Sequence, residues 1–131
     1  MEAGDKLPTL VKDVSTPSIT EYAKASGDMN PLHIDEEYGA TTQFGSNIAH
    51  GMFMFGYLSE LLTLAFGADW AANAQIRSRF RHPARPGDRV TVTGEVKSVM
   101  DEGGRARVRC LVECRIQDGN VVAAGDASLL V

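Results

Sequence analysis

Arginine is absent from the first 76 residues of this 131-residue chain; all nine arginines lie between Arg77 and Arg115. Positive charge is not in excess overall either, since 13 lysines and arginines face 17 aspartates and glutamates, for a net charge of −4. That excludes a generally basic nucleic-acid binder as the first reading. Cysteine is scarce. Cys110 and Cys114 are four apart in a stretch with strand patterning, which puts them about 13 Å apart, beyond the reach of a disulfide. Free thiols suit a reducing compartment, and no four ligands stand at finger-like spacing, so no metal is expected. The first residues, Met1 to Lys6, have no cationic start and no apolar stretch behind them, so no signal peptide is expected. The longest apolar region, Ile48 to Ala68, is interrupted by His50 and Glu60 and falls short of a membrane span. The expectation is a cytoplasmic protein with no membrane span and no nucleic-acid partner.

What is present is ordinary for a globular chain. The sequence is 44% hydrophobic and 23% charged, which argues against a disordered or fibrous protein. A chain of this length buries roughly two-thirds of its unfolded surface, and residues 1–131 are expected to form one domain. The charge is unevenly spread. Residues 1–70 carry ten acidic and three basic side chains, and residues 71–131 carry seven acidic and ten basic ones. A basic face on an acidic protein suits a small polyanion or an acidic partner, although charge alone is equally met by solvated arginines on a sheet face.

Leu7 to Val14 is predicted to open the chain as a strand. Thr16-Pro17 reads as an N-cap with proline at the first helical position, leading a short helix from Ser18 to about Ala25 that ends at Gly27. Asn30-Pro31 blocks its continuation, and Asp35 is placed to cap a second short helix from Glu36 to about Thr42. Residues 47–67 then form a helix that begins at Asn47 or Ala49 and ends at Gly67. It is apolar nearly all round and so must be enclosed. Gly56 in its interior is expected to permit a close approach. After residue 72 the period changes to two: Ile76–Phe80, Val90–Val96, Arg107–Ile116 and Val121–Val131 read as strands, with turns at residues 86–88, 101–104 and 117–120. One strand, several helices and four antiparallel strands make an α+β domain, with the sheet curled around the apolar helix.

Three stretches carry chemistry. In Ser26 to His33, Asp28 and His33 lie in a segment bounded by glycine and proline, where a carboxylate and an imidazole can hold one water as an acid–base pair. The plainer alternative is an Asx turn beside an unrelated histidine. In Ala49-His50-Gly51-Met52, free N–H groups at a helix start can stabilise an oxyanion, or the glycine marks only a loop-to-helix junction. Arg79 to Asp88 reads as a strand end and a Pro-Gly-Asp turn, or as an ordinary hairpin with a charged edge.

Taken together, SGDMNPLH, IAHGM and RFRHPARPGD resemble the MaoC-like hydratases, the (R)-specific enoyl-thioester hydratases of the hotdog superfamily. The likeness runs from Gly4-Asp5 to the last strand; residues 22–52 are its specific part, and the PxGD turn is shared with many hotdog proteins. The resemblance implies a hotdog fold, in which a curved five-stranded antiparallel sheet wraps a long central helix. It also implies a homodimer or a higher oligomer of dimers, with the site at a subunit interface. It assigns Asp28 and His33 as the catalytic pair and the Gly51 N–H as the donor to the thioester oxygen. Ser59 matches a polar position near the site, and Asn30 fixes the loop. The reaction implied is reversible hydration of a trans-2-enoyl thioester to the (R)-3-hydroxyacyl thioester. No metal or bound cofactor is called for, coenzyme A or acyl carrier protein being part of the substrate. Arg79, Arg81 and Arg85 are candidates for coenzyme A phosphates, since arginine pairs well with phosphate. Phe55, Tyr57, Leu58, Leu61 and Leu62 are candidates for an acyl tunnel. Two other activities fit the same fold: a thioesterase, for which Glu60 is the one acidic group in the central helix, and a subunit of a heterodimeric dehydratase.

Overall fold

The computed structural model describes residues 1–131. Five strands, β1 (Leu10–Asp13), β2 (Gln75–Phe80), β3 (Arg89–Glu102), β4 (Arg105–Ile116) and β5 (Val121–Leu130), form one antiparallel sheet in the order β1-β3-β4-β5-β2. Five helices lie between β1 and β2: α1 (Thr16–Ser26), α2 (Pro31–Ile34), α3 (Glu36–Thr41), α4 (Gly51–Phe66) and α5 (Ala68–Asn73). This is the sheet-around-helix α+β arrangement that the patterning implied.

Alternation along the strands makes the sheet two-sided. On β3 and β4, Val90, Val92, Val96, Val108, Cys110, Val112, Cys114 and Ile116 are buried, and the residues between them are mostly polar. Leu58, Leu61 and Leu62 of α4, with no exposed surface, pack into the same core, each worth about 1.5–3 kcal/mol of hydrophobic stabilisation. With Tyr57, which is also buried, they fill the centre of the fold, so these four residues are packing and not the walls of an acyl tunnel. Burial pushes the Cys110 thiol up to about 11 and the Cys114 thiol up to about 12. Both cysteines are free, and they serve as small core residues rather than nucleophiles.

The helix starts differ in detail from the expectation. Ser15, not Thr16, caps α1, because Ser18 three residues on reciprocates in a capping box. Pro31 does stop α1 from continuing, but it also starts α2 at once, as a first-turn proline with Asn30 as its cap. Asp35 caps α3 as expected, accepting from the Glu37 and Tyr38 amides. α4 begins at Gly51 with His50 as an N-cap that makes no side-chain capping bond. Asn47 lies outside α4; its amide donates to the Leu32 and Asp35 carbonyls at 2.9 and 2.8 Å, pinning the α2–α3 corner. Gly39 is required there, since a Cβ would stand 2.6 Å from the Asn47 nitrogens.

α4 is not enclosed on every side. Met52 and Leu64 are 54% and 60% exposed, and nothing approaches within 4 Å of the position a Cβ would take at Gly56. The close approach expected at Gly56 is absent within the chain. No helix is long and apolar enough to cross a membrane.

Candidate active site

Two short segments converge at the N-terminal end of α4. The first runs from Gly27, whose left-handed backbone (φ 80°) ends α1, through Asp28 to α2. Asn30 fixes it: its side chain accepts from the Leu32 amide at 3.0 Å, and its carbonyl accepts from the His33 amide. The second segment, Asn47 to Gly51, is held by Asn47 on one side and by the Ala49 amide donating to the Ala84 carbonyl at 2.7 Å on the other.

These anchors orient His33. Its Nδ1 lies 2.7 Å from the Ile48 carbonyl. A carbonyl only accepts, so Nδ1 carries the hydrogen and Nε2 keeps its lone pair, free to take a proton. Asp28 is exposed, and one of its carboxylate oxygens lies within 4.8 Å of a ring nitrogen of His33. A water at ordinary hydrogen-bond distance from two groups bridges up to about 5.5 Å. The two groups are thus near enough for a single water to bridge them.

Gly51, the first residue of α4, donates its N–H to no protein acceptor. It therefore offers an unpaired donor at the positive end of the helix dipole. The ring of Phe80, from the end of β2, lies over it, and a Cβ at Gly51 would come within 2.8 Å of that ring. A groove of about 320 Å³ starts here, lined by Ile48, Gly51, Met54, Phe80, Arg81 and Val122 among others. A larger trough of about 650 Å³, rimmed by Arg77, Arg79, Lys97 and Glu113, lies on the sheet face away from α4 and away from the Asp28/His33 pair. The smaller groove reaches the candidate site at Gly51, and the larger one does not.

The remaining sequence candidates are scattered. Arg79 alternates with Ser78 and Phe80 along β2 and so projects from the outer face. Arg81 borders both concavities. Arg85 donates to the Phe44 carbonyl at 3.1 Å, bracing a loop. Ser59 sits about 12 Å along α4 from Gly51, where its hydroxyl accepts the Trp70 indole N–H. Glu60 accepts from Lys12 at 2.8 Å. An acidic group so placed and so paired is remote from the Asp28/His33 pair, which disfavours the thioesterase chemistry.

Sequence reading missed His50. It is 2% exposed, its Nε2 is 3.0 Å from the Asp28 carbonyl, and its ring stacks on His33 with centroids 3.9 Å apart. Asp28, His33 and His50 are close enough to offer three atoms to an ion. The two rings, however, are within 25° of parallel. Their in-plane lone pairs run side by side instead of meeting at a point, so this is a poor tetrahedral metal site.

A curved antiparallel sheet around a central helix, with a carboxylate and an imidazole close together beside that helix's N-terminus, is the architecture of the hotdog fold with a candidate site at the helix start. The chain belongs to the MaoC-like domain family, whose model matches residues 3–114. It is 36% identical over 122 residues to a 3-hydroxybutyryl-CoA dehydratase of Methylorubrum extorquens, covering 93% of this chain and 76% of that one. It is 34% identical to an (R)-specific enoyl-CoA hydratase of Rhodospirillum rubrum, covering 94% and 83%. Among solved structures, the unliganded (R)-hydratase of Pseudomonas aeruginosa superposes with a TM-score of 0.85 at 29% identity, covering all of this chain and 82% of that one.

Proposed function

We propose that this chain is a carbon–oxygen lyase that interconverts trans-2-enoyl thioesters and (R)-3-hydroxyacyl thioesters, with residues 1–131 acting as one catalytic domain. The observation that carries the reading is the approach of an Asp28 carboxylate oxygen to within 4.8 Å of a His33 ring nitrogen, near the free Gly51 N–H. The related dehydratase and hydratase support the reaction class and its stereochemistry.

In the forward direction, Asp28 and His33 hold the water and take one of its protons as its oxygen bonds to C3. The C2–C3 π electrons move toward the thioester carbonyl, whose oxygen gains negative charge and accepts from the Gly51 N–H. C2 then takes a proton, so that one water is added in all. The proton acceptor, the donor to C2 and the oxyanion donor are all protein groups, so the reaction needs no bound metal or cofactor beyond the carrier of the thioester. Arg81, bordering the groove, is the best placed of the arginines for a carrier phosphate. The open face of α4 around Met52, Gly56 and Leu64 supports a second subunit, most simply another copy of this chain. Two buried free thiols fit a cytoplasmic setting.

The test follows the enoyl-thioester absorbance of crotonyl-CoA and of a longer homologue, with product configuration and with Asp28→Asn and His33→Ala alongside. Loss of absorbance, (R)-product and a fall of about a hundredfold or more in both variants are expected. Full activity in either variant, or release of free thiol faster than hydration, overturns the reading.

A further inference from the structure

The reaction leaves His50 without a task, yet its side chain meets both halves of the proposed pair. Its Nε2 lies 3.0 Å from the Asp28 carbonyl, so Nε2 carries the hydrogen and donates. One face of its ring covers His33 at 3.9 Å, and Tyr22 packs against it with centroids 4.8 Å apart. Tyr22 is itself stacked on Phe53 of α4 at 4.9 Å. The His50 ring is therefore clamped before it does anything to its neighbours.

Its other nitrogen is the informative one. Nδ1 is buried and has no hydrogen-bond partner, alone among buried side-chain nitrogens and oxygens. An apolar ring would fill the same space without leaving a buried acceptor unpaired. What imidazole adds over such a ring is the Nε2–H and its bond to the Asp28 backbone. The stack adds something different. The Nδ1 bond to Ile48 leaves His33 free to pivot about that bond, and a flat ring against its face removes the pivot. His50 also directly precedes Gly51 in the chain. One residue thus connects the loop that carries Asp28, the plane of His33 and the start of α4.

We infer that His50 is a positioning residue, holding Asp28 by its Nε2–H and the His33 ring by stacking so that both meet one water beside Gly51. The inference rests on the hydratase reading, and its test separates the two. His50→Phe keeps a stacking ring and loses the donor; His50→Gln keeps a donor of similar reach and loses the ring; His50→Ala loses both. With crotonyl-CoA, kcat is expected to fall about a hundredfold in His50→Ala, the cost of a misplacement of about 1 Å. Phe and Gln should each recover about tenfold of that loss. KM should stay near the parent value, because His50 touches no substrate. Melting curves correct each rate for the folded fraction. Parent-like kcat in the Phe and Gln variants overturns the inference, as does a loss of activity that only follows the loss of folded protein. If the parent itself does not turn over, the hydratase reading fails. The positional claim is then judged by imidazole ¹⁵N spectra. His33 should be protonated at Nδ1 in the parent and become a mixture of tautomers in His50→Gln, and an unchanged tautomer overturns it.

Discussion

At the N-terminal end of α4 the Gly51 N–H has no acceptor, the buried His50 Nδ1 has no partner, and the Asp28 carboxylate faces solvent. About 13 Å further along the same helix, Glu60 accepts from Lys12, Ser59 accepts from Trp70, and the Tyr57 ring lies under the Lys12 ammonium. Both ends carry polar groups on an apolar helix. One end uses all of them to hold the protein together, and the other keeps the Gly51 N–H and the His50 Nδ1 unpartnered. Polar groups with unused capacity, more than polar residues as such, mark where a substrate belongs.

The contrast can be broken by exchanging the expected outcomes at the two ends. The largest effect is expected at the open end: Asp28→Asn or His33→Ala should lower kcat by about a hundredfold or more while leaving the melting temperature near the parent value. Leu61→Ala should do the reverse. Emptying that core position costs about 2–5 kcal/mol of stability by denaturant titration, with kcat per folded molecule retained. Asn47→Ala sits between the two, because its amide fixes the corner below His33. A loss of about 1–3 kcal/mol should come with a reduced kcat, and loss of stability alone would show that the corner does not orient the site. Glu60→Gln removes a partly exposed ion pair, so stability should change by less than about 1 kcal/mol and turnover not at all. Lost turnover there would erase the distinction between the ends.

The smallest effect is on alkaline stability. Burial raises Tyr57 from 10.0 to about 12, Cys110 from 9.0 to about 11 and Cys114 from 9.0 to about 12. The folded chain therefore holds protons that the unfolded chain has lost, and stability is full below about pH 9 and declines as pH rises to about 12. Tyr57→Phe should flatten the upper part of that decline in denaturant titrations taken at successive pH values.

The parts of the fold that sequence reading found are those set by local period. The buried valines of β3 and β4 alternate, α4 is apolar around its circumference, and Gly27 and Gly67 stand where helices end. What it missed depends on contacts between distant residues or on weak local signals. Asn30-Pro31 stops one helix and starts another with the same proline, and sequence shows only the stop. α5 has neither a side-chain cap nor a buried residue to announce it. Asp28 and His33 were legible because they share one short segment and a known motif. His50 lies in a motif as well, but its neighbours Asp28, His33 and Tyr22 come from earlier segments, and only the folded chain brings them to one ring. The arginines of β2 show the opposite failure, since a period of two puts Arg77 and Arg79 on one face without saying which.

The pairing of the strands also sets an order of events in time. β3 and β4 are joined by a tight turn at Gly103-Gly104 and pair along almost their whole length. β2 pairs with β5 across the two strands that lie between them in the chain. Closing the short loop costs little entropy and closing the long one costs more. The β3–β4 hairpin is thus the natural nucleus, and the edge strands β1 and β2, the second of which brings Phe80 over Gly51, join later. Core substitutions in the hairpin should slow folding, and those in β2 should chiefly hasten unfolding. The edge that completes the groove then joins a hairpin already formed, and is the more easily lost of the two.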